Sequence, residues 1–422
     1  MIFPLLLFIF YSLIVCFWIQ KSNIIVDKEL PKTFLYGIFC IKLISGLIYS
    51  YIHQRYYGGG DTYLLFSESY LLGNSIISNP LHYLNLWLGN SPAPLSSENF
   101  VYPDWPFIKK DFGTYFLVHI HALPSLLSFG YYNVHNVFVV FLSLVGSINI
   151  YNAVKDKVDI PLPLLVFVCF LMPSTLFWTS GLHKDVWIYF GFSLILTGLS
   201  KLSFNFRTSI RNLVIGLLII ALFRNYLLAL LFPVLIAFGI TYSKPAEKSF
   251  QKFVLTFFVF FILIVIIDII DNGLMLRQLS ERQHEFLKET GTSKISDAVP
   301  WFPSLKGFLF YLPQALVNVM LRPFLWECHD FFQALAAVEI VFFWVLLITA
   351  IVFRKKASLS KPLILFMLFY AILNFFIIGL LVSNVGTIVR YRAIALFLTA
   401  ITLLEMIDFS KIKFLLKIKQ PT

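Results

Sequence analysis

Long apolar stretches constrain this chain more than any other feature of its sequence. Runs of about 17 to 22 apolar residues recur along it, and a helix of that length crosses the hydrocarbon core of a bilayer. Of its 422 residues, 59% are hydrophobic and only 13% are charged, whereas about a quarter of a soluble domain is charged. The sequence therefore predicts an all-α integral membrane protein.

The apolar stretches are bounded by charged or turn residues, which gives about eleven predicted transmembrane helices. They cover approximately residues 2–19, 33–52, 133–154, 161–177, 185–200, 210–223, 226–242, 253–270, 331–353, 362–382 and 388–407. The stretch 112–129 is also apolar, but His119, His121 and Pro124 interrupt it. We predict an interfacial or re-entrant helix there.

The basic residues predict the orientation of these helices, because Lys and Arg are retained on the cytoplasmic side. They concentrate in alternate loops, around residues 21–32, 155–157, 201–211, 244–252 and 354–361, and in the tail from residue 411. The alternation holds along the whole chain when the N-terminus is outside and the C-terminus is cytoplasmic. It also accounts for the net charge of +11, so no nucleic-acid partner is expected.

With this orientation, two long loops are extracytoplasmic and cover residues 53–132 and 271–330. Both mix charges of either sign with aromatic residues and proline, which predicts interfacial helices rather than linkers. Neither loop is large enough for a separate soluble domain, so residues 1–422 are predicted to form a single transmembrane domain. The four cysteines show no disulfide or metal-ligand spacing.

The first candidate for chemistry lies just after the second predicted span. Gly58, Gly59 and Gly60 allow a sharp turn, and Asp61 then stands at the start of a predicted amphipathic helix. Glu68 lies seven residues later and is expected on the same face. A carboxylate at the membrane surface suits a general base that takes a proton from a hydroxyl. The alternative is that Asp61 only caps a helix beginning at residue 62.

The second candidate is the segment 180–185, which contains His183, Lys184 and Asp185 at the outer start of the fifth predicted span. The free N–H groups of a helix N-terminus beside a lysine favour phosphate binding. The alternative is that Lys184 extends to the interface and pairs with Asp185. His183 is a candidate for proton transfer or a simple interfacial histidine.

The third candidate is a set of arginines on the predicted outer side, Arg224, Arg322, Arg390 and Arg392. A guanidinium binds phosphate in a bidentate manner, and near the headgroups it needs an anionic partner. Anchoring to lipid headgroups explains one such arginine. Four arginines on the predicted outer side, where the positive-inside rule disfavours basic residues, favour an anion site. Arg390 and Arg392 point in different directions on a helix. Glu327 is expected to pair with Arg322 or to serve as a second acid.

These features resemble the GT-C superfamily of glycosyltransferases: Asp61 in an early outside loop, an interfacial helix after it, and later outside loops bearing Lys and Arg. The segments 180–185, 321–327 and 386–392 are also similar to bacterial membrane proteins associated with surface polysaccharides. The resemblance implies a polyprenyl-phosphate-linked sugar donor and a glycan or lipid-linked acceptor, at the outer face of the bacterial inner membrane. It implies that Asp61 is the catalytic base and that Arg390 or Arg392 holds the donor phosphate.

Two other functions are kept as alternatives. A repeat-unit polymerase of the O-antigen type is similar in span number and in outside arginines, and it catalyses the same kind of bond exchange. A transporter or flippase of lipid-linked glycans belongs to a different class, for which internal repeats and midplane charges are typical. We see neither an evident repeat nor many such charges. No cofactor is predicted, and participation of a divalent metal is left open.

Overall fold

A computed structural model of the chain describes residues 2–22, 30–88, 111–242, 248–288, 300–355 and 360–412. Within these ranges the chain is helical, and its only β-type pairing is an isolated bridge between Arg354 and Ile407. The described residues fall into two compact units. The first covers Met1–Asp156, Cys169–Leu171 and Thr175–Tyr226, and the second covers Lys157–Val168, Met172–Ser174 and Leu227–Thr422.

The first unit contains, wholly or mostly, the helices of the N-terminal half of the chain except α7 (Leu162–Val166). They are α1 (Ile2–Lys21), α2 (Lys32–Arg55), α3 (Gly60–Ser78), α4 (Pro80–Trp87), α5 (Phe112–Leu127) and α6 (Tyr132–Val154). Further along the chain follow α8 (Pro173–Trp178), α9 (Lys184–Ser200) and α10 (Phe206–Phe223).

The second unit contains the short α7 (Leu162–Val166) and most helices after residue 226. These are α11 (Tyr226–Tyr242), α12 (Ser249–Ile270), α13 (Leu274–Lys288), α14 (Leu305–Met320), α15 (Phe331–Val352), α16 (Pro362–Leu381) and α17 (Val385–Met406). A π-helical turn, Phe167–Leu171, follows α7.

Eight helices in the described ranges are long and apolar enough to cross a bilayer, namely α1, α2, α6, α10, α12, α15, α16 and α17. The chain is therefore described as an all-α, multi-pass membrane protein. The other three predicted spans are also helical but shorter, with 17 residues in α9 and 17 in α11. A 17-residue helix is about 25 Å long, less than the roughly 30 Å hydrocarbon core. The count of eleven and the orientation stay predictions.

The remaining predicted span, 161–177, is interrupted rather than continuous. Met172 has an extended backbone with ψ of 122°, because a residue before proline is disfavoured in the helical region. Pro173 then begins α8. The sequence contains this proline, so the break could have been predicted.

In the first unit, α6 and α9 form the interior. Most residues of both helices are buried, and α9 packs against α6 on one side and α10 on another. Gly191 of α9 meets Gly216 of α10, where a Cβ at Gly216 would come within 2.6 Å of the Gly191 carbonyl oxygen. Small residues allow this close approach, as is usual between membrane helices.

In the second unit, α16 and α17 are the central helices and are mostly buried. Helix α14 packs against α16, and a Cβ at Gly379 would clash with the Ala315 backbone. By contrast α12 buries only Ser249, Phe253 and Thr256, as expected of a helix that faces lipid.

The two long predicted loops contain helices in the parts that the structure describes. Helices α3, α4 and α5 lie within 53–132, of which residues 89–110 fall outside the described residues. Helices α13 and α14 lie within 271–330, of which 289–299 fall outside. The helix expected over 112–129 is present as α5; its interfacial placement stays a prediction.

Candidate active site

Asp61 occupies the first turn of α3 without acting as its cap. The helix begins at Gly60, the N-cap residue is Gly59, and no side chain caps this end. Gly58, Gly59 and Gly60 have φ of 63°, 103° and 54°, a region that glycine adopts without strain. The reading of Asp61 as a cap for a helix starting at residue 62 is therefore wrong. Its side chain is 68% exposed, so the carboxylate is accessible.

His183 lies beside Asp61 and is the N-cap residue of α9. Its Nδ1 accepts a hydrogen bond from the Lys184 backbone N–H at 3.2 Å. In the neutral ring the proton is therefore on Nε2. That atom lies 3.9 Å from Oδ2 of Asp61. The buried imidazole thus lies close to the exposed carboxylate, at a distance longer than a hydrogen bond.

Hydrogen bonds fix the start of α3 to the loop before His183. The Thr62 hydroxyl donates to the Leu182 carbonyl oxygen at 2.9 Å and also lies 2.7 Å from the Tyr132 hydroxyl. The Leu182 N–H reaches the same Tyr132 oxygen at 3.4 Å. These bonds hold together two segments that are 120 residues apart in sequence. Asp61 directly precedes Thr62, and His183 directly follows Leu182.

A buried ion pair lies behind His183. Arg224 Nη2 is 2.9 Å from Oδ1 of Asp185, and both side chains are less than 10% exposed. Oδ2 of Asp185 is also 3.9 Å from Nδ1 of His183. Removing one member of such a pair leaves an uncompensated buried charge, so Asp185 and Arg224 are expected to stabilise each other next to His183.

Lys184 pairs with Asp111 rather than with Asp185. Its ammonium group donates to Asp111 Oδ2. Asp111 also caps α5 by accepting from the Gly113 N–H at 3.0 Å and from the Thr114 hydroxyl at 2.9 Å. The alternative in which Lys184 pairs with Asp185 is thus wrong, since neighbouring residues at a helix start point about 100° apart.

The pKa of Asp111 lies below its ordinary value. Partial burial alone would raise this pKa, but the hydrogen bond and the charge of Lys184 outweigh burial. Thr114 and the Gly113 N–H lower the pKa further. Asp111 is therefore charged at neutral pH.

We call these six residues the Asp61 cluster: Asp61, Asp111, His183, Lys184, Asp185 and Arg224. It holds three carboxylates against two cations, which gives a formal charge of −1 when His183 is neutral. This balance suits proton acceptance at the exposed carboxylate more than it suits a site built only for anions. The sequence placed Asp185 in the candidate segment 180–185 and offered Asp111 as an outside candidate whose default interpretation was solvation or interface packing; it did not predict that either would lie near Asp61.

Glu68 is buried and only 1% exposed, although it is on the same helix as Asp61. Seven residues separate the two, which is roughly 10 Å along the helix axis. The structure does not bring Glu68 into the Asp61 cluster. Its predicted catalytic role stays a prediction.

The other predicted site residues belong to the second unit. Arg322 Nη2 lies 3.5 Å from Oε1 of Glu327, so the expected pairing is present. Arg392 is fully buried, and its Nη1 donates to the carbonyl oxygens of Val319, at 2.9 Å, and Arg322. Both oxygens lie at the C-terminal end of α14, which favours a cation.

Arg390 and Arg392 point in different directions, as expected from their spacing. Arg390 is partly exposed, and its guanidinium stands 5.6 Å from the Tyr391 ring centre. Nε and Nη2 of Arg392 are buried without a hydrogen-bond partner among the described residues. The predicted binding of phosphate by Arg322, Arg390 and Arg392 stays a prediction.

A buried histidine pair was not recognised from the sequence. Trp187 Nε1 donates to His121 Nε2 at 2.9 Å, and His121 Nδ1 lies 2.9 Å from His135 Nε2. Because His121 Nε2 accepts, its proton is on Nδ1 and is donated to His135. The apolar helix containing His119 and His121 was the signal, but the partners of His121 lie on other helices.

Within the described residues, no three His, Cys, Asp or Glu side chains converge as metal ligands. In comparisons with known proteins, no family, no curated protein and no solved structure matched this chain. The similarity to GT-C glycosyltransferases and to O-antigen type polymerases therefore stays a prediction.

Proposed function

We propose that the protein transfers a sugar from a polyprenyl-phosphate-linked donor to a glycan or lipid-linked acceptor, at the outer face of the bacterial inner membrane. The observation that carries the proposal is the exposed Asp61 carboxylate beside a buried histidine N–H. Such a carboxylate is accessible to an acceptor hydroxyl, and the hydrogen bonds of Thr62 hold the adjacent backbone to the loop before His183.

In the proposed reaction Asp61 takes the proton of the acceptor hydroxyl. The hydroxyl oxygen then attacks the anomeric carbon and forms the new glycosidic bond. The bond between that carbon and the phosphate oxygen breaks, and the polyprenyl phosphate leaves with the electron pair. In this proposal Nε2–H of His183 comes within hydrogen-bond distance of Asp61 only in the reacting complex, and the Asp185–Arg224 pair is the buried neighbour of His183.

Lys184 is the cation of the cluster best placed to contact the donor phosphate. Its partner Asp111 has a side chain that is 57% exposed. The donor phosphate can therefore displace the Asp111 carboxylate from Lys184, and that carboxylate is then hydrated by solvent. Arg224 is already paired with a buried carboxylate, which favours a positioning role. In the second unit, Arg390 has the more accessible guanidinium, which makes it the better phosphate candidate there.

The test is sugar transfer by purified protein from a panel of defined polyprenyl-phosphate sugars. We expect turnover by the wild type and loss of turnover in Asp61→Asn. The control is Asp271→Asn, which removes another exposed carboxylate, outside the cluster. Equal turnover in the wild type and Asp61→Asn would overturn the assigned base. Movement of the lipid-linked sugar across the membrane of vesicles that contain the protein, without sugar transfer to an acceptor, would favour the flippase instead.

The O-antigen type polymerase is the second candidate, because it also transfers the anomeric carbon of a sugar from a lipid-linked phosphate group to a hydroxyl, for which an exposed carboxylate such as Asp61 could act as the base. The products distinguish the two functions. A ladder of repeat units on one lipid indicates a polymerase, whereas addition of a single sugar indicates a transferase.

A further inference from the structure

The contacts among the central helices of the second unit define its two ends. The Lys355 N–H, just after α15, donates to the carbonyl oxygen of Met406, the last residue of α17, at 2.8 Å. Lys361, just before α16, donates to Glu405 of α17 at 2.7 Å. The ends of α15 and α17 therefore lie beside the start of α16. The opposite end, where α15 and α17 begin and α16 finishes, is called the Phe331 end after the first residue of α15.

Helix α14 runs from the Phe331 end into the unit. Tyr311 packs with Leu380, which is next to the last residue of α16. Farther along, Trp344 Nε1 donates to the carbonyl oxygen of Met320, the last residue of α14, at 2.9 Å. Trp344 lies thirteen residues after Phe331, about 20 Å along α15. Helix α14 therefore ends among helices that are long enough to cross a bilayer.

The contacts of Arg392 place the end of α14 in the same region. Arg392 Nη1 donates to the carbonyl oxygen of Val319 at 2.9 Å and also to that of Arg322. Arg392 lies seven residues after the start of α17, about 10 Å along that helix. Because side chains lean toward the start of their helix, both depths shorten by several Å, and the end of α14 still lies below the Phe331 end.

Residues 321–330 then return the chain to the Phe331 end. These residues, all within the described range 300–355, contain only a short 3₁₀ turn, Leu325–Glu327. Ten extended residues reach about 33 Å, which is more than the return requires. Non-helical backbone is tolerated at membrane depth only where protein or a water-filled cavity surrounds it. Here Arg322 and Pro323 are buried, and Arg392 satisfies the Arg322 carbonyl oxygen.

The side of α14 that faces away from α16 is apolar and exposed. The side packed on α16 includes Tyr311, Ala315 and Val319. The exposed side includes Leu305, Leu309 and Phe310. Lys306, the only charged residue of α14, is in its first turn, where a long side chain can extend to lipid headgroups. A helix that lies flat on a membrane has a strongly charged face toward water, as α13 has with Glu281 and Glu285 exposed.

We propose that α14 enters the bilayer as a re-entrant helix and that its exposed apolar side contacts lipid acyl chains. Lipid is the occupant because α15 exposes Phe342 and Val345 beside Trp344, at the depth where α14 ends, and a multi-pass protein covers such a surface with hydrocarbon. This placement differs from the interfacial helix that the sequence predicts within 271–330. It does not depend on the proposed function.

The first experiment measures depth along α14 in the full chain in phospholipid nanodiscs. A fluorescent amino acid replaces either Leu305 or Leu316, which share a side of α14 and are eleven residues, about 16 Å, apart. Phospholipids with a nitroxide near the headgroup quench shallow sites, and those with a nitroxide near the chain end quench deep sites. We expect the first lipid to be the better quencher at position 305 and the second at position 316.

The matched control is Leu335 and Leu346 of α15, two leucines with the same spacing on a helix long enough to cross the bilayer. A similar shift in quenching for both pairs supports re-entry. The same quenching ratio at 305 and 316 means that α14 lies flat on the surface. Absence of quenching at 305 and 316, with quenching at the α15 pair, means that water or protein covers α14. Either of the last two results overturns the proposal.

A second measurement uses the unmodified chain, so it does not depend on whether a variant folds. In nanodiscs, a lipid-soluble carbene probe labels side chains in contact with lipid, and hydroxyl radicals oxidise side chains in contact with water. Phe310 of α14 and Phe342 of α15 are compared because they are 76% and 69% exposed. We expect carbene labelling of both and oxidation of neither. Oxidation of Phe310 that is at least tenfold greater than that of Phe342 would overturn the proposal.

Discussion

Nε2 of His183 lies 3.9 Å from Oδ2 of Asp61, and the Lys184 N–H on the opposite ring nitrogen assigns the proton to Nε2. The two residues come from different helices and differ in exposure, with Asp61 in water and His183 buried. A buried donor thus faces an accessible acceptor. This relationship underlies the assignment of Asp61 as the base.

The Asp185–Arg224 pair is expected to be essential for stability. Asp185→Ala leaves the buried Arg224 charge without its carboxylate, which should cost about 3 to 5 kcal/mol of unfolding free energy. Denaturation in detergent measures the loss. The control is Glu285→Ala, which breaks the exposed Arg282–Glu285 pair and should cost less than about 1 kcal/mol. Similar losses in both variants would show that the buried pair has no special role.

Asp111 is expected to compete with the donor phosphate for Lys184. Asp111→Asn keeps an oxygen that caps α5 but removes the competing charge, so the KM for the donor should fall. Asp111→Ala also loses the cap, which should cost about 1 kcal/mol of stability. A KM for the donor that rises in Asp111→Asn would mean that the carboxylate helps to bind the donor.

The Asp111–Lys184 pair also predicts a dependence of stability on pH. The pKa of Asp111 is lowered in the folded protein, so the carboxylate stabilises the fold above its unfolded pKa of about 3.9. That contribution disappears as the pH falls through the lower, folded pKa. The stability difference between wild type and Asp111→Asn should therefore shrink between pH 7 and pH 3. A difference that stays constant over this range contradicts the assignment.

The hydrogen bond that Trp187 Nε1 donates to His121 Nε2 is expected to stabilise the fold. Trp187→Phe keeps an aromatic ring but leaves His121 Nε2 buried without that donor, which should cost about 1 to 3 kcal/mol. Trp326→Phe is the control, because the Trp326 side chain is 80% exposed. If denaturation curves of the two variants coincide, the hydrogen bond does not stabilise the fold.

Local features of the sequence predicted much of the fold. The apolar runs gave the helices, and three glycines before Asp61 gave the turn into α3. The pairing of residues was harder, because it depends on long-range packing. Lys184 and Asp111 are 73 residues apart, and nothing in either segment favours that pair over the adjacent Asp185. The sequence likewise indicated His183 as a candidate, but only the structure shows that its Nε2 lies 3.9 Å from the Asp61 carboxylate.

The most direct test of the central claim is the single-turnover rate of sugar transfer at saturating donor, measured for wild type and Asp61→Asn. Saturation removes differences in donor binding, so the rate reports the chemical step. Loss of a general base should lower this rate by about 10²- to 10⁴-fold, with Asp271→Asn unchanged. A rate for Asp61→Asn within a few-fold of the wild type would contradict the assignment of Asp61 as the base.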